Sequence, residues 1–464
     1  MSYATTDLSD TIVALATPPG AGAIGVIRVS GKNAITLVDA VFRGKKLSEQ
    51  ASHTIHFGTI RDENDTIIDE VLCALFVAPR SYTGENIVEI SCHGSQYIIQ
   101  RLIEVVVNQG ARLAQPGEFT MRAFLNGKMD LSQAEAVADL IASDSASAHS
   151  IAMQQMRGGF SDEIQKLRQE LIDFASLIEL ELDFGEEDVE FANREDLRAL
   201  VRKIQSLLRG LINSFQLGNA IKNGVSTVLA GRPNAGKSTL LNALLNEERA
   251  IVSDIAGTTR DTIEEPLNIQ GIPFRLIDTA GIREAQDQIE AIGVEKTLEK
   301  IAQSSVLVYV FDASRMPAKD VHADLERLVQ PGIHLLAVAN KMDLSPYTKY
   351  EDYAAPLLPP EQFIPVSAIN QMNIEFLKEK LYHAVVSEQV KLESTVVSNI
   401  RHYEALQNAY QSLDDVLRSM DTGVTSDFVA MDIRQSLYHL GSITGEISTD
   451  DLLGNIFSNF CIGK

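Results

Sequence analysis

Residues Gly231-Arg232-Pro233-Asn234-Ala235-Gly236-Lys237-Ser238 satisfy the pattern G-x-x-x-x-G-K-[ST], the spacing of a loop that wraps phosphate. Glycines let backbone N–H groups close around phosphate oxygens with no Cβ in the way. Lys237 can reach the β- and γ-phosphates, Ser238 can ligate Mg²⁺, and a helix opening near Thr239 lends its positive end. Four further segments follow in Ras-like order. Ser253 precedes Asp254-Ile255-Ala256-Gly257-Thr258-Thr259, whose threonines offer a switch hydroxyl to Mg²⁺, Thr259 foremost. Asp278-Thr279-Ala280-Gly281 offers an Asp that holds Mg²⁺ through water and a Gly whose N–H meets the γ-phosphate. Asn340-Lys341-Met342-Asp343 has the N-K-x-D form, and its Asp can accept from two N–H groups on guanine's edge, a pair adenine lacks. A site built on such buried bonds rejects the wrong base by up to about 10⁴-fold. Ser367-Ala368 would complete the base pocket. The ordered set predicts a GTPase rather than an ATPase.

The residue after Asp-Thr-Ala-Gly is Ile282, where Ras has the glutamine that orients the attacking water. An aliphatic side chain cannot orient water, so another group must. Arg260 and Arg283 are candidates for an arginine finger, a device worth roughly 10³ to 10⁵ in rate, with an ordinary surface role as the alternative for each. Slow hydrolysis in the monomer and acceleration on assembly are expected.

The elements that must position these residues follow from periodicity. Apolar runs at 225–229, 274–277, 306–311, 335–339 and 363–366 alternate with helical stretches, which predicts a doubly wound, mostly parallel sheet. Residues 11 to about 92 read as β-branched runs broken by Pro and Gly, followed by a helix from Ser95 to Asn108 stopped by Gly110. From Ser132 apolar residues recur every three or four positions, with Asn193 a candidate N-cap, and this pattern returns after Ser387 through Phe428, Met431, Ile433 and Leu437. The fold class is therefore multidomain α/β. It comprises an N-terminal α+β domain (1–128), a helical domain in two halves (129–222 and 386–464), and an inserted Ras-like P-loop domain (223–385). Seven acidic residues crowd residues 179–190 and read as a solvated face rather than a metal site.

Composition excludes several classes. At roughly 150 residues per domain, 464 residues predict about three domains. The 63 acidic residues against 40 basic ones leave a net charge of −23, the wrong balance for gripping nucleic acid over a broad surface. No run of 18 apolar residues exists, and Met1 to Asp10 lacks the basic and apolar regions of a secretory signal. Three scattered cysteines (Cys73, Cys92, Cys461) fit a reducing compartment. A soluble cytoplasmic protein is expected.

The motifs G-R-P-N-A-G-K-S, D-I-A-G-T-T-R-D and D-T-A-G-I-R-E, with A-T-P-P-G at 16–20, P-G-E-F-T-M-R-A-F-L-N-G-K at 116–128 and the terminal Cys461-Ile462-Gly463-Lys464, closely resemble the MnmE (TrmE) family. These are GTPases of tRNA wobble-uridine modification, and the resemblance covers the whole chain. It implies a homodimer whose G domains pair across their nucleotide faces around a potassium ion in place of an arginine finger. By position Asn234 resembles that ion's side-chain ligand, with Ser253, Ile255 and Thr258 completing the shell. Ser253 stands where some members have Thr. Glu290 resembles the glutamate that orients the water, beside Lys237 and Arg283. The resemblance also implies an N-terminal domain binding a tetrahydrofolate one-carbon carrier (5-formyl or methylene form) through Arg28, Glu89, Lys128 and Lys464. It further implies a heterotetramer with the FAD protein MnmG, which would supply redox chemistry and most of the tRNA surface. Together they would build an aminomethyl or carboxymethylaminomethyl group on carbon five of the wobble uridine. A ribosome-assembly GTPase and a plain scaffold with a regulatory GTPase are the rivals. His93 as a base and Cys461 as a nucleophile find no mechanism in the sequence.

Overall fold

The computed structural model describes residues 10–183, 194–245, 264–278, 300–302, 304–386, 395–422 and 426–463. Asn193, most of the 179–190 cluster, Ser253 to Arg260, Thr279 to Arg283, Glu290 and Lys464 lie outside the described residues. The chain forms two compact units, one of residues 1–142, 152–201 and 411–464, the other of residues 143–151 and 202–410.

The first unit holds a seven-stranded sheet: β1 (Ile12–Leu15), β2 (Ile24–Ser30), β3 (Phe42–Arg43), β4 (Thr54–Arg61), β5 (Ile67–Phe76), β6 (Ile87–His93) and β7 (Arg112–Leu113). Their order is β3-β4-β5-β6-β2-β1-β7, antiparallel except for the parallel pair β1–β7. Alternation decides which face is core: Val71, Cys73 and Leu75 of β5 are buried while their neighbours are not. The expected helix runs Gln96–Asn108, buries Ile99, Leu102, Val105 and Val106 on one stripe, and stops before Gly110 at φ +111°. Strand β4 and the helix Ala34–Val41 were not anticipated.

The helical periodicity becomes helices Leu131–Ala142, Gly159–Asp183, Arg194–Asn223, Ile400–Asp421, Ser426–Thr444 and Asp450–Ser458. In Ser426–Thr444 the buried stripe is Val429, Ala430, Ile433, Leu440 and Ile443. Of the residues read from the sequence, Ile433 is buried and Leu437 half-buried, but Phe428 and Met431 stand exposed at 53% and 56%. Among the described residues no helix is long and apolar enough to cross a membrane.

The second unit holds β8 (Val225–Ala230), β9 (Glu264–Ile269), β10 (Ile272–Asp278), β11 (Val306–Asp312), β12 (His334–Asn340) and β13 (Phe363–Pro365), in the order β13-β12-β11-β8-β10-β9. Every pairing is parallel except the β9–β10 hairpin. The core of β11, Val306 to Phe311, is buried at every position, as a strand covered on both faces must be. The five predicted parallel strands are all present. Strand β9 escaped because Glu264-Glu265-Pro266 is edge chemistry, with charge and a missing N–H instead of an apolar run.

Candidate functional site

The phosphate loop begins where β8 ends. Gly231 sits at φ +152°, and a Cβ there would collide with the carbonyl oxygen of Val310 on β11, so only glycine lets the loop leave the sheet this closely. Asn234 turns left-handed at φ +61°. Gly236, at φ +92°, lies so near the Asn340 amide that a Cβ has no room. The helix Lys237–Leu245 follows directly. Lys237 is buried, and its ammonium donates to the carbonyls of Gly231 (2.8 Å) and Arg232 (3.2 Å).

The base side is built from the ends of β12 and β13. Asn340, 2% exposed, donates through Nδ2 to the Ala235 carbonyl (2.9 Å), and its Oδ1 accepts from the Ala368 N–H (3.1 Å). One amide thus ties the phosphate loop to the turn that follows β13. Asp343 accepts from the Ser367 hydroxyl at 2.6 Å, which fixes the plane of its carboxylate. Lys341, at φ +67°, donates to Asp312 at 2.7 Å. Burial would raise the Asp312 carboxyl, but Lys341 and Ser314 outweigh it and hold it below the ordinary range. The structure therefore gathers Asn234 to Thr239, Asn340, Lys341, Asp343, Ser367 and Ala368 at the carboxyl ends of the parallel strands β8, β12 and β13, where such sheets bind ligands. Asp278 ends β10 in register with Leu229 of β8. Asp312 was missed, although its place at the end of β11 was signal enough.

A second cluster lies in the first unit. Arg28 donates from Nε to Glu89 (2.9 Å) and has Tyr82 and Phe119 rings within 5.4 and 5.6 Å. Its other arm reaches the Gly463 carbonyl at 3.4 Å, so the chain's last turn lies against this cluster. Gly463 itself, at φ +95°, has no room for a Cβ beside Leu15. Lys128 donates to Pro79 (3.1 Å), on the loop that carries Tyr82. His93 Nδ1 lies 2.7 Å from Asp69. Cys461 is exposed, whereas burial pushes the Cys73 thiol up to about 12 and that of Cys92 to about 11, which removes both as nucleophiles.

Sequence reasoning missed the scaffold beneath. Arg122, 1% exposed, is bonded to Glu85 (3.2 Å), Asp10 (2.6 Å) and Glu118 (2.8 Å), while Arg112 also pairs with Asp10 and Glu118. Removing one partner of a buried pair strands the others. Arg122→Met is expected to destabilise the protein by about 3 kcal/mol, read as a lower urea midpoint at unchanged slope. The pH response follows from Glu118. Burial would raise its carboxyl, but Arg112, the Gln115 N–H and Arg122 outweigh that and lower it. Its stabilisation is therefore complete above the ordinary value near 4.5 and lost as pH falls below it. Glu118→Gln should flatten the acid limb of a stability-versus-pH curve.

A six-stranded sheet wound around a glycine-rich phosphate loop, with an Asn-Lys-x-Asp strand end hydrogen-bonded to a Ser-Ala turn, defines a P-loop GTPase. The profile described as MnmE helical domain matches residues 131–461, and that described as GTP-binding protein TrmE N-terminus matches 11–128. The tRNA modification GTPase MnmE of Cytophaga hutchinsonii is 56% identical over 460 residues, covering 99% of each chain. The protein of that name from Christiangramia forsetii is 54% identical, covering 98% of this chain and all of its own. That from Bacteroides thetaiotaomicron is 49% identical over 98% and 99%. The chain belongs to the MnmE family of tRNA modification GTPases.

Proposed function

We propose that this protein hydrolyses GTP as a homodimer and, in a heterotetramer with an MnmG-type FAD protein, helps add an aminomethyl or carboxymethylaminomethyl group to carbon five of the tRNA wobble uridine in the cytoplasm. The observation that carries the nucleotide assignment is the Asn340 amide joining the phosphate loop to the Ser367-Ala368 turn beside Asp343. The family relationship supports the tRNA assignment. A net charge of −23 supports a division of labour in which the flavoprotein carries most of the tRNA surface.

The domain reading is 1–128 for folate binding and dimerisation, 129–222 with 386–464 for the helical domain, and 223–385 for the G domain. The profile match ending at residue 128 supports its first boundary. In the G domain, Lys237 would exchange the Gly231 and Arg232 carbonyls for phosphate oxygens, and Ser238 with Thr259 would hold Mg²⁺. Asp278 and Gly281 would serve metal and γ-phosphate. Asn234, exposed at the left-handed tip of the loop, suits a potassium ligand, with Ser253, Ile255 and Thr258 as the rest of the shell. Glu290 would orient water where Ile282 cannot, and Arg283 would lie near. Bound cation supplies positive charge where negative charge develops.

For a reduced folate, the donor set is chemically apt: Glu89 for pterin N–H groups, Arg28, Lys128 and Lys464 for carboxylates. Arg28→Ala is expected to weaken 5-formyltetrahydrofolate binding about tenfold by equilibrium dialysis, the loss of one charge-assisted pair. Wild-type affinity in that variant would remove Arg28 from the site. A ribosome-assembly switch would leave the Arg28–Glu89 arrangement without a ligand. Nucleoside analysis of tRNA from a deletion strain decides between them: intact wobble uridine modification would end the tRNA reading.

A further inference from the structure

Arg232 is the second residue of the phosphate loop, and its side chain turns away from the loop to the helix Ala318–Leu328. Nε and one terminal nitrogen grip both oxygens of Asp324 (2.9 and 3.1 Å), while the other terminal nitrogen meets Asp320 at 2.8 Å. Asp324 is further held by the hydroxyl of Tyr309, a fully buried residue of β11, at 2.6 Å. The guanidinium fork is thus matched to a carboxylate that is itself anchored in the sheet. On the inner side, the carbonyls of Gly231 and Arg232 both accept from the Lys237 ammonium.

We infer that the Arg232–Asp324 clamp is a positioning device for the nucleotide site. It holds the first limb of the phosphate loop in place while Lys237 leaves its carbonyls for phosphate, and it thereby sets nucleotide affinity and release rate. Without the clamp, the limb loses its outer tether at the moment its inner tether is withdrawn, so binding must also order the loop. The clamp contributes little to global stability, because the Arg232 side chain is 46% exposed and exposed ion pairs are worth about 1 kcal/mol or less. That separates its two conceivable roles: a merely structural bridge would move neither affinity nor release.

The test uses the full chain and a fluorescent N-methylanthraniloyl-GDP probe. Arg232→Ala and Asp324→Asn are each expected to raise Kd about fivefold, or about 1 kcal/mol, through faster dissociation. KM for GTP should follow Kd, with kcat changing less. Arg232→Lys, which keeps charge but loses the fork, should fall between, and Asp324→Glu should recover part of the affinity. The double variant should be no weaker than either single one, because both remove the same interaction. Unchanged Kd in both single variants, strictly additive losses, or affinity losses that merely track a lowered Tm would each overturn the inference.

Discussion

An Asp343→Asn protein is expected to bind GTP about 10⁴-fold more weakly and to acquire affinity for xanthosine triphosphate. One carboxylate oxygen of Asp343 is oriented by the Ser367 hydroxyl at 2.6 Å, and Ser367 is itself 1% exposed. The carboxylate can then accept both N–H groups on guanine's edge. An asparagine at the same place sets an amide N–H against a guanine N–H, leaving two donors facing each other out of reach of water. Xanthine carries a carbonyl at carbon two where guanine has an amino group, so the asparagine finds an acceptor again. Calorimetric titration with both nucleotides reads the exchange. Undiminished GTP affinity would remove Asp343 from base recognition.

Lys237→Ala is expected to lower kcat/KM for GTP about 10³-fold. Lys237 is 7% exposed, and its ammonium donates to neutral carbonyls at 2.8 and 3.2 Å. Exchanging these for anionic oxygens replaces cation–dipole bonds by cation–anion bonds, and charge shifting toward the bridging oxygen strengthens them in the transition state. GDP binding, which lacks the γ-phosphate, should fall by less than hydrolysis does. Single-turnover rates beside GDP affinities separate the two. Turnover within tenfold of wild type would show that Lys237 does not reach the phosphates.

Local chemistry made the nucleotide site legible. Gly231, Gly236, Lys237 and the strand-end Asn340 to Asp343 each serve within a few residues of their neighbours, so spacing carries the information. Five strands of the second sheet were readable: the runs 306–311 and 335–339 are continuously apolar and buried, while those at 225–229 and 274–277 keep enough apolar residues around Ser226, Thr227 and Arg275 to show. What stayed hidden depends on long sequence separation or on weak local signals. Arg122 meets Asp10 across 112 residues, and Arg232 meets Asp324 across 92; nothing in either local sequence announces the partner. Strand β9 has little hydrophobic pattern, and Phe428 and Met431 misled because apolar residues on that helix occupy more than its buried stripe.

The amide of Asn340 has a consequence for fidelity. Because one side chain is shared by the cradle and the turn beside the base, a mispaired base cannot be tolerated at one end alone; the disturbance reaches the triphosphate grip through a single pair of bonds. Base fit and phosphate grip are coupled through that bridge: a base that displaced the Ser367-Ala368 turn would pull on Asn340 and so loosen the Ala235 end of the phosphate loop.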